Sequence, residues 1–301
     1  MSARYAKKDI YSKDGILLYA KGQELTPWVV SKLREMGLSK EISQFSESQE
    51  DIPPLPLQHT NDKESGISAV QKTETIAHIN KLKKAFQKAT ARVEMDVCTE
   101  VLNSVLFADN KQPWHLYIVT LWHHGGWLYT HSIDVALISL LIAYELGYRD
   151  NRLTEIGIGT LLHDIGKVLI PKSILNKKEK NLTTQETLIL QQHCELGCDM
   201  VQEAGLSEIC RNIIVQHHER MDGSGYPRGL TASSIAPEAQ ICIVADAIDL
   251  KTSFHPQNPD WLNYGYASKE EVKRSIYEIK GKDTKFPKDL LAIVEKCFKK
   301  T

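Results

Sequence analysis

Almost no net charge is left on this chain: 37 Lys plus Arg stand against 38 Asp plus Glu, a formal −1 with histidine neutral. That balance argues against a general nucleic-acid coat protein, which needs a basic face, yet leaves room for one small phosphate-bearing ligand. Also missing is an apolar run of 18 residues, the length that crosses a bilayer, so neither DNA binding nor membrane insertion is expected. The opening Met1-Ser2-Ala3-Arg4-Tyr5-Ala6-Lys7-Lys8-Asp9 lacks the apolar centre of a secretory signal. Six cysteines, at 98, 194, 198, 210, 242 and 297, are too scattered along 301 residues to suggest a compact disulfide scaffold. A cytoplasmic location is the resulting expectation. Cys194 and Cys198 lie one helical turn apart near His193 and could imitate a thiolate metal site; packing thiols are the better reading, because the chain offers a better ligand set.

What is present divides the chain in two. Residues 8–37 read as a small mixed unit. The turn Ser12-Lys13-Asp14-Gly15 precedes a short strand over Ile16–Ala20, and Thr26-Pro27 opens a helix towards Met36 that Gly37 ends. Residues 41–72, with Ser43, Ser46 and Ser48 among acidic neighbours and then Pro53-Pro54-Leu55-Pro56, read as a linker. Beyond residue 73 the apolar spacing is helical, starting with the stripe Ile76, Ile79, Leu82 and Phe86. Helices follow over Val93–Phe107 and Trp114–Trp122. Gly125-Gly126 bends the chain before an apolar helix that His131 begins and Gly147 stops. The expected architecture is mainly α: an all-helical domain over 73–301 behind a small N-terminal α+β or mixed accessory domain and linker over 1–72.

Within the helical part, His163-Asp164 ends an apolar run from Ile156 to Leu162, with Lys167 three residues beyond the aspartate. An ionisable pair at the end of such a run needs partners, either a salt bridge or a metal ion. On a helix, these intervals place His163, Asp164 and Lys167 on one side. A basic turn follows over Pro171–Lys177. Thr184 and Glu186 precede a helix that carries His193 inward with Leu196 and Met200. His217-His218-Glu219 ends another apolar helix, and Gly223, Gly225 and Pro227 then favour a tight loop that could bring Arg220 or Tyr226 beside phosphate. Asp246 is a further carboxylate in an apolar helix. His131, His163, Asp164, His193, His217, His218 and Asp246 together exceed one tetrahedral site and suit two divalent ions that share Asp164. His123 and His124 stand outside this set and read as packing or surface residues.

This ordered set, including His217-His218-Glu219-Arg220-Met221-Asp222-Gly223-Ser224-Gly225-Tyr226-Pro227, resembles the HD-GYP branch of the HD-domain metal-dependent phosphohydrolases over roughly residues 125–300. The resemblance implies an all-helical domain around a binuclear iron or manganese centre. It makes His131, His163, Asp164 and Asp246 the basic ligands and His193, His217 and His218 the additional ones. It also implies hydrolysis of cyclic di-GMP to linear pGpG, by attack of a hydroxide held between the ions, with Asp164 and Lys167 as catalytic residues. Alternatives are a mixed cyclic GMP-AMP substrate, or a weakly active or inactive metal-containing receptor with a signalling-protein partner.

Two departures bear on recognition. Some relatives carry a glutamate for a third metal four residues before the first histidine; Trp127 stands there, which favours two ions and leaves an aromatic side chain to line the pocket. Where relatives have Arg-Pro-Tyr after the last aspartate, this chain has His255-Pro256-Gln257. His255 offers fewer donors and no permanent charge. Trp261, Tyr264 or Tyr266 could supply a stacking surface or simply pack the loop. The expected substrate contacts are therefore Lys167, Arg220, Tyr226, His255, Trp127 and Trp261.

Overall fold

The computed structural model describes residues 69–89, 95–108, 112–124, 126–202, 204–252, 274, 276–279, 281 and 284–299, together with four short strands nearer the N-terminus. Strand β1 (Tyr5–Ala6) pairs antiparallel with β4 (Phe45–Ser46), and β2 (Ile10–Tyr11) pairs with β3 (Leu17–Tyr19). β3 falls inside the expected Ile16–Ala20 strand. β4 corrects the reading of 41–72 as linker throughout: pairing uses backbone groups, so a serine-rich stretch can supply it. The helix expected over Thr26–Met36 lies outside the described residues.

From residue 69 onward the described chain is helical. The helices are α1 (Ala69–Ala89), α2 (Met95–Leu106), α3 (His115–His124), α4 (Gly126–Glu145), α5 (Asp150–Leu161), α6 (Lys172–Leu175), α7 (Thr184–Gln191), α8 (His193–Met200), α9 (Glu208–Gln216), α10 (Pro237–Thr252) and α11 (Lys288–Lys299). α1 starts four residues before the expected boundary. α6 replaces the turn expected over Pro171–Lys177, with its own Ile174 and Leu175 buried.

α4 is the axis of the bundle, contacting α1, α2, α3, α5, α10 and α11. A helix enclosed on all sides should be apolar all round, and Ile133, Val135, Leu137 and Leu140 are all fully buried. Burying each such aliphatic side chain contributes about 1.5–3 kcal/mol. Trp127–Glu145 is long and apolar enough by length and composition to cross a membrane, and most of it is buried inside the fold. Gly147, at φ +91°, ends the helix in a conformation that suits glycine.

α1 packs with Thr75, Ile79 and Leu82 inward, each at most 3% exposed, and Ile76 is 38% exposed. The expected stripe holds at Ile79 and Leu82 and departs at Ile76, and the Phe86 side chain lies outside the described residues. Thr75 replaces Ile76 on the buried side because its hydroxyl meets the Tyr129 hydroxyl on α4 at 3.0 Å.

Candidate metal centre

The residues with chemical potential converge from α4, the turn after α5, the start of α8, the end of α9 and the interior of α10. His131 lies in the second turn of α4 and does not begin it, since the helix starts at Gly126. α5 stops at Leu161, so His163 and Asp164 leave the α-helix and Asp164 opens a 3₁₀ turn over Ile165–Leu169. Lys167 still meets Asp164, Nζ to Oδ2 at 2.5 Å, because residues three apart eclipse in a 3₁₀ turn. The expected continuous helical face is thus replaced by a tighter one. Gly166 shows why: a Cβ there would lie 1.9 Å from the His193 carbonyl oxygen, so the turn crosses α8 backbone against backbone.

The helix expected to carry His193 is two helices. Thr183 caps α7 in a reciprocal box with Glu186, the chain turns at Gln192, and His193 opens α8. Gly166 pressing on this corner accounts for the break. His217 caps the C-terminus of α9, and α10 carries Asp246.

Asp164 sits at the middle. Its Oδ2 lies 3.3 Å from His131 Nε2 and 3.5 Å from His163 Nε2. Its Oδ1 lies 3.2 Å from His193 Nε2 and 3.5 Å from His217 Nε2. Asp246 Oδ1 is 3.4 Å from His131 Nε2, and Asp246 Oδ2 is 4.0 Å from His218 Nδ1. Two potential ligand groups share one carboxylate: His131, His163 and Asp164, and Asp164, His193, His217 and His218. The structure therefore brings together all seven residues singled out as ligands in the sequence.

The donor set fits cations. The Nδ1 atoms of His163, His193 and His217 lie 2.7, 2.6 and 2.9 Å from the carbonyl oxygens of Thr160, Leu190 and Ile214. A carbonyl only accepts, so each Nδ1 carries the proton and each Nε2 presents a lone pair. Those lone pairs face carboxylate oxygens and each other, with His193 and His217 Nε2 only 3.2 Å apart. Asp164 Oδ1, buried, has no hydrogen-bond partner among the described residues. Lone pairs aimed at a common point in a buried space need positive charge between them, and imidazole with carboxylate suits a divalent transition ion. The contact of His193 with Asp164 Oδ1 is thus read as two ligands facing one cation.

Electrostatics agrees. Burial opposes ionisation of Asp164, but Lys167 and the surrounding imidazoles outweigh it and hold the carboxyl well below its usual range. Burial likewise works against Asp246, and His131 brings it down to about 2. Burial depresses His163 to about 3, lowers His193 and holds His218 well below its ordinary value, which keeps them neutral as ligands must be. His131 is different. Burial would lower it, yet Asp164, Asp246 and Asp249 push it well above the ordinary imidazole value. Three carboxylates around one ring ask for a cation, whether proton or metal.

Asp249 was not singled out as a site residue. Its Oδ2 accepts from His131 Nδ1 at 2.7 Å, one helical turn after Asp246 on α10. That spacing of two carboxylates in an apolar helix was the available signal. Glu219 was also passed over as a functional group. It is fully buried, and its two oxygens accept from the backbone N–H groups of Arg228 and Leu230, both at 2.8 Å, which ties down the loop after α9. That loop lays the Tyr226 ring on His218, with centroids 4.7 Å apart.

The other expected contacts fare unevenly. Lys167 adjoins Asp164, and Tyr226 reaches the histidines. Arg220 donates to the Glu219 carbonyl and lies 5.3 Å from the Phe286 ring, contacts that run to the C-terminal segment. Trp127 is half-buried against the apolar core. His255, Gln257, Trp261, Tyr264 and Tyr266 lie outside the described residues. Cys194 Sγ is 3.6 Å from His193 Nε2, but burial pushes the thiols of Cys194 and Cys198 up, so they stay protonated and act as packing groups.

Residues 115–259 match the family described as HD domain. A cyclic di-GMP phosphodiesterase of Pseudomonas aeruginosa is 35% identical over 167 residues, covering 55% of this chain and 39% of that protein. A 3'3'-cGAMP-specific phosphodiesterase of Vibrio cholerae is 32% identical over 154 residues, covering 50% and 28%. The chain thus matches well under half the length of either relative. A solved structure described as an HDG"Y"P protein from Bdellovibrio bacteriovorus aligns with 97% of this chain and 94% of its own, at 19% identity and TM-score 0.46.

Proposed function

We propose that this chain, whose residues 115–259 match the family described as HD domain, is a metal-dependent cyclic-dinucleotide phosphodiesterase that opens cyclic di-GMP to linear pGpG. One observation carries the proposal: a buried carboxylate, Asp164, whose two oxygens each face two imidazole nitrogens while Lys167 adjoins one of them. Two divalent ions, iron or manganese, are the cofactors proposed. Such a pair, when bound, supplies Lewis-acid charge for a phosphodiester and a more acidic water.

The chain's own groups do the rest. His131, His163 and Asp246 would hold one ion and His193, His217 and His218 the other, with Asp164 common to both. Lys167, 14% exposed at its side chain, is open enough to reach a ligand, and its ammonium would neutralise a phosphoryl oxygen as charge builds there. Tyr226 offers an aromatic wall beside His218 against which a guanine could rest. The buried cluster restricts water, which strengthens each of these charges.

The similarity to a 3'3'-cGAMP-specific enzyme supports a second substrate, mixed cyclic GMP-AMP. Incubating protein loaded with Mn(II) or Fe(II) with each cyclic dinucleotide and separating the products decides between them. Linear pGpG from cyclic di-GMP is expected. Faster opening of the mixed dinucleotide would reassign the substrate, and tight binding without turnover would make the protein a receptor.

A further inference from the structure

Glu219 ties the loop after α9 from within. A second hold comes from outside, from Thr284–Phe286 in the turn that leads into α11. The Met221 N–H donates to the Lys285 carbonyl at 3.1 Å, and the Met221 carbonyl accepts from the Ala232 N–H at 3.0 Å, so one residue joins this turn to both arms of the loop. The Thr284 hydroxyl donates to Asp222 Oδ2 at 3.1 Å, and Asp222 bridges antiparallel to Thr231. The Arg220 guanidinium lies 5.3 Å from the Phe286 ring centroid, within the range of a cation–π contact. The match therefore runs antiparallel: 220 to 286, 221 to 285 and 222 to 284. Phe286 is 7% exposed and belongs to the apolar core, which fixes this end of the hold to the bundle.

We propose that Thr284–Phe286 is a positioning element of the substrate site: by clamping Arg220–Asp222 it fixes where the Tyr226 ring stands beside His218. The clamped edge is in direct contact with the tip of the loop. A Cβ on Gly225 would stand 2.5 Å from the Glu219 Cα and closer still to the Arg220 nitrogen, so the loop folds back with backbone on backbone. Tyr226 comes next. Its N–H donates to the His218 carbonyl at 3.2 Å, and its ring lies on the His218 ring. Close-packed groups transmit a displacement instead of absorbing it, so a shift at Arg220 arrives at Tyr226. On this assignment Arg220, expected from the sequence to meet phosphate, acts through Tyr226 and is a positioning residue. An element that places a binding wall governs how substrate is held more than it governs the chemical step.

The inference rests on the phosphodiesterase reading, in which Tyr226 is a wall for a base. Two measurements on the Mn(II)-loaded full chain test it: steady-state kinetics with cyclic di-GMP, and backbone amide exchange over residues 219–231 by mass spectrometry. Phe286→Leu keeps an apolar side chain in the core and removes the ring face. It should raise KM about 2–5-fold, hold kcat within about twofold and speed exchange across the loop. Thr284→Val, at an exposed position that the fold tolerates, should raise KM about twofold, and Thr284→Ser, which keeps the hydroxyl, should match the wild type. Val294→Ala is the control: it loosens α11 two turns further along, at a residue 1% exposed, and should lower the unfolding temperature without raising KM. Wild-type KM and exchange in both Phe286→Leu and Thr284→Val overturn the inference. So does faster exchange with KM unchanged, a loss of kcat at constant KM, or an equal rise of KM in Val294→Ala, which reduces the effect to the seating of α11. A wild type that neither binds nor opens cyclic di-GMP, while loop exchange still responds to Phe286→Leu, overturns the phosphodiesterase reading alone: the loop is held, but not for this substrate.

Discussion

The two sides of Asp164 are built differently. On the Oδ2 side, His131 and His163 come from α4 and the end of α5, Asp246 adds a second carboxylate from α10, and Asp249 backs His131. On the Oδ1 side, His193 and His217 are held by main-chain carbonyls three residues earlier in their own segments, and His218 follows. One side is therefore rich in negative charge and tied across helices, with only His163 held by a carbonyl of its own segment. The other is imidazole-rich and oriented locally, where helices start and stop. A divalent ion on the Oδ2 side meets more formal charge at close range, so it should be bound more tightly. Elemental asymmetry of this kind predicts stepwise loading.

The sharpest way to break the comparison is to remove the group both sides share. Asp164→Ala should lose metal from both, seen as near-zero metal by mass spectrometry, and cut turnover by at least about 10³-fold. Retention of one full equivalent would mean that the sides do not depend on a common carboxylate. Next in size is a pair of single ligands. His193→Ala should keep about one ion per chain, whereas Asp246→Ala should lose the tighter one; the reverse result inverts the assignment. Asp249→Asn comes third. It should weaken the tighter Mn(II) site about 10–100-fold and leave the weaker one as it was.

The smallest effect is on stability. The Asp134 carboxyl titrates at about 6 in the fold, above its ordinary range, with burial the main cause. Between roughly pH 4 and pH 6 the unfolded chain gives up a proton that the fold retains, so this group's contribution falls as pH rises through that window. Asp134→Asn removes that slope. In urea titrations of the metal-free chain, the wild type should lose up to about 2–3 kcal/mol relative to the variant from pH 4 to pH 7. Parallel pH curves would show that the carboxyl ionises normally.

The convergence of these seven residues was legible because imidazoles and carboxylates at the ends of apolar runs demand a partner, and seven of them in order are hard to explain otherwise. The mainly helical fold was legible from spacing. What the sequence could not show was how neighbouring turns meet. An interval of three residues is common to an α-helix and a 3₁₀ turn, so the conformation linking Asp164 to Lys167 was open until the approach of Gly166 to His193 decided it. The same contact divides α7 from α8. Ile76 and Thr75 exchanged sides because one hydroxyl had a distant partner in Tyr129. Asp249 meets His131 from 118 residues away, and the carboxylate spacing on α10 does not say which group it meets.

Glu219 carries one more consequence. Its grip on two backbone amides means that the segment carrying Tyr226 is ordered as the chain folds. Fixing a backbone residue costs about 1–2 kcal/mol in lost freedom, and here that cost is met before any ligand arrives. A ligand meeting this wall gives up little affinity to loop ordering. The wall is correspondingly unforgiving: a ring of the wrong size or tilt finds a surface that does not adapt, and selectivity on this face becomes a matter of rigid shape.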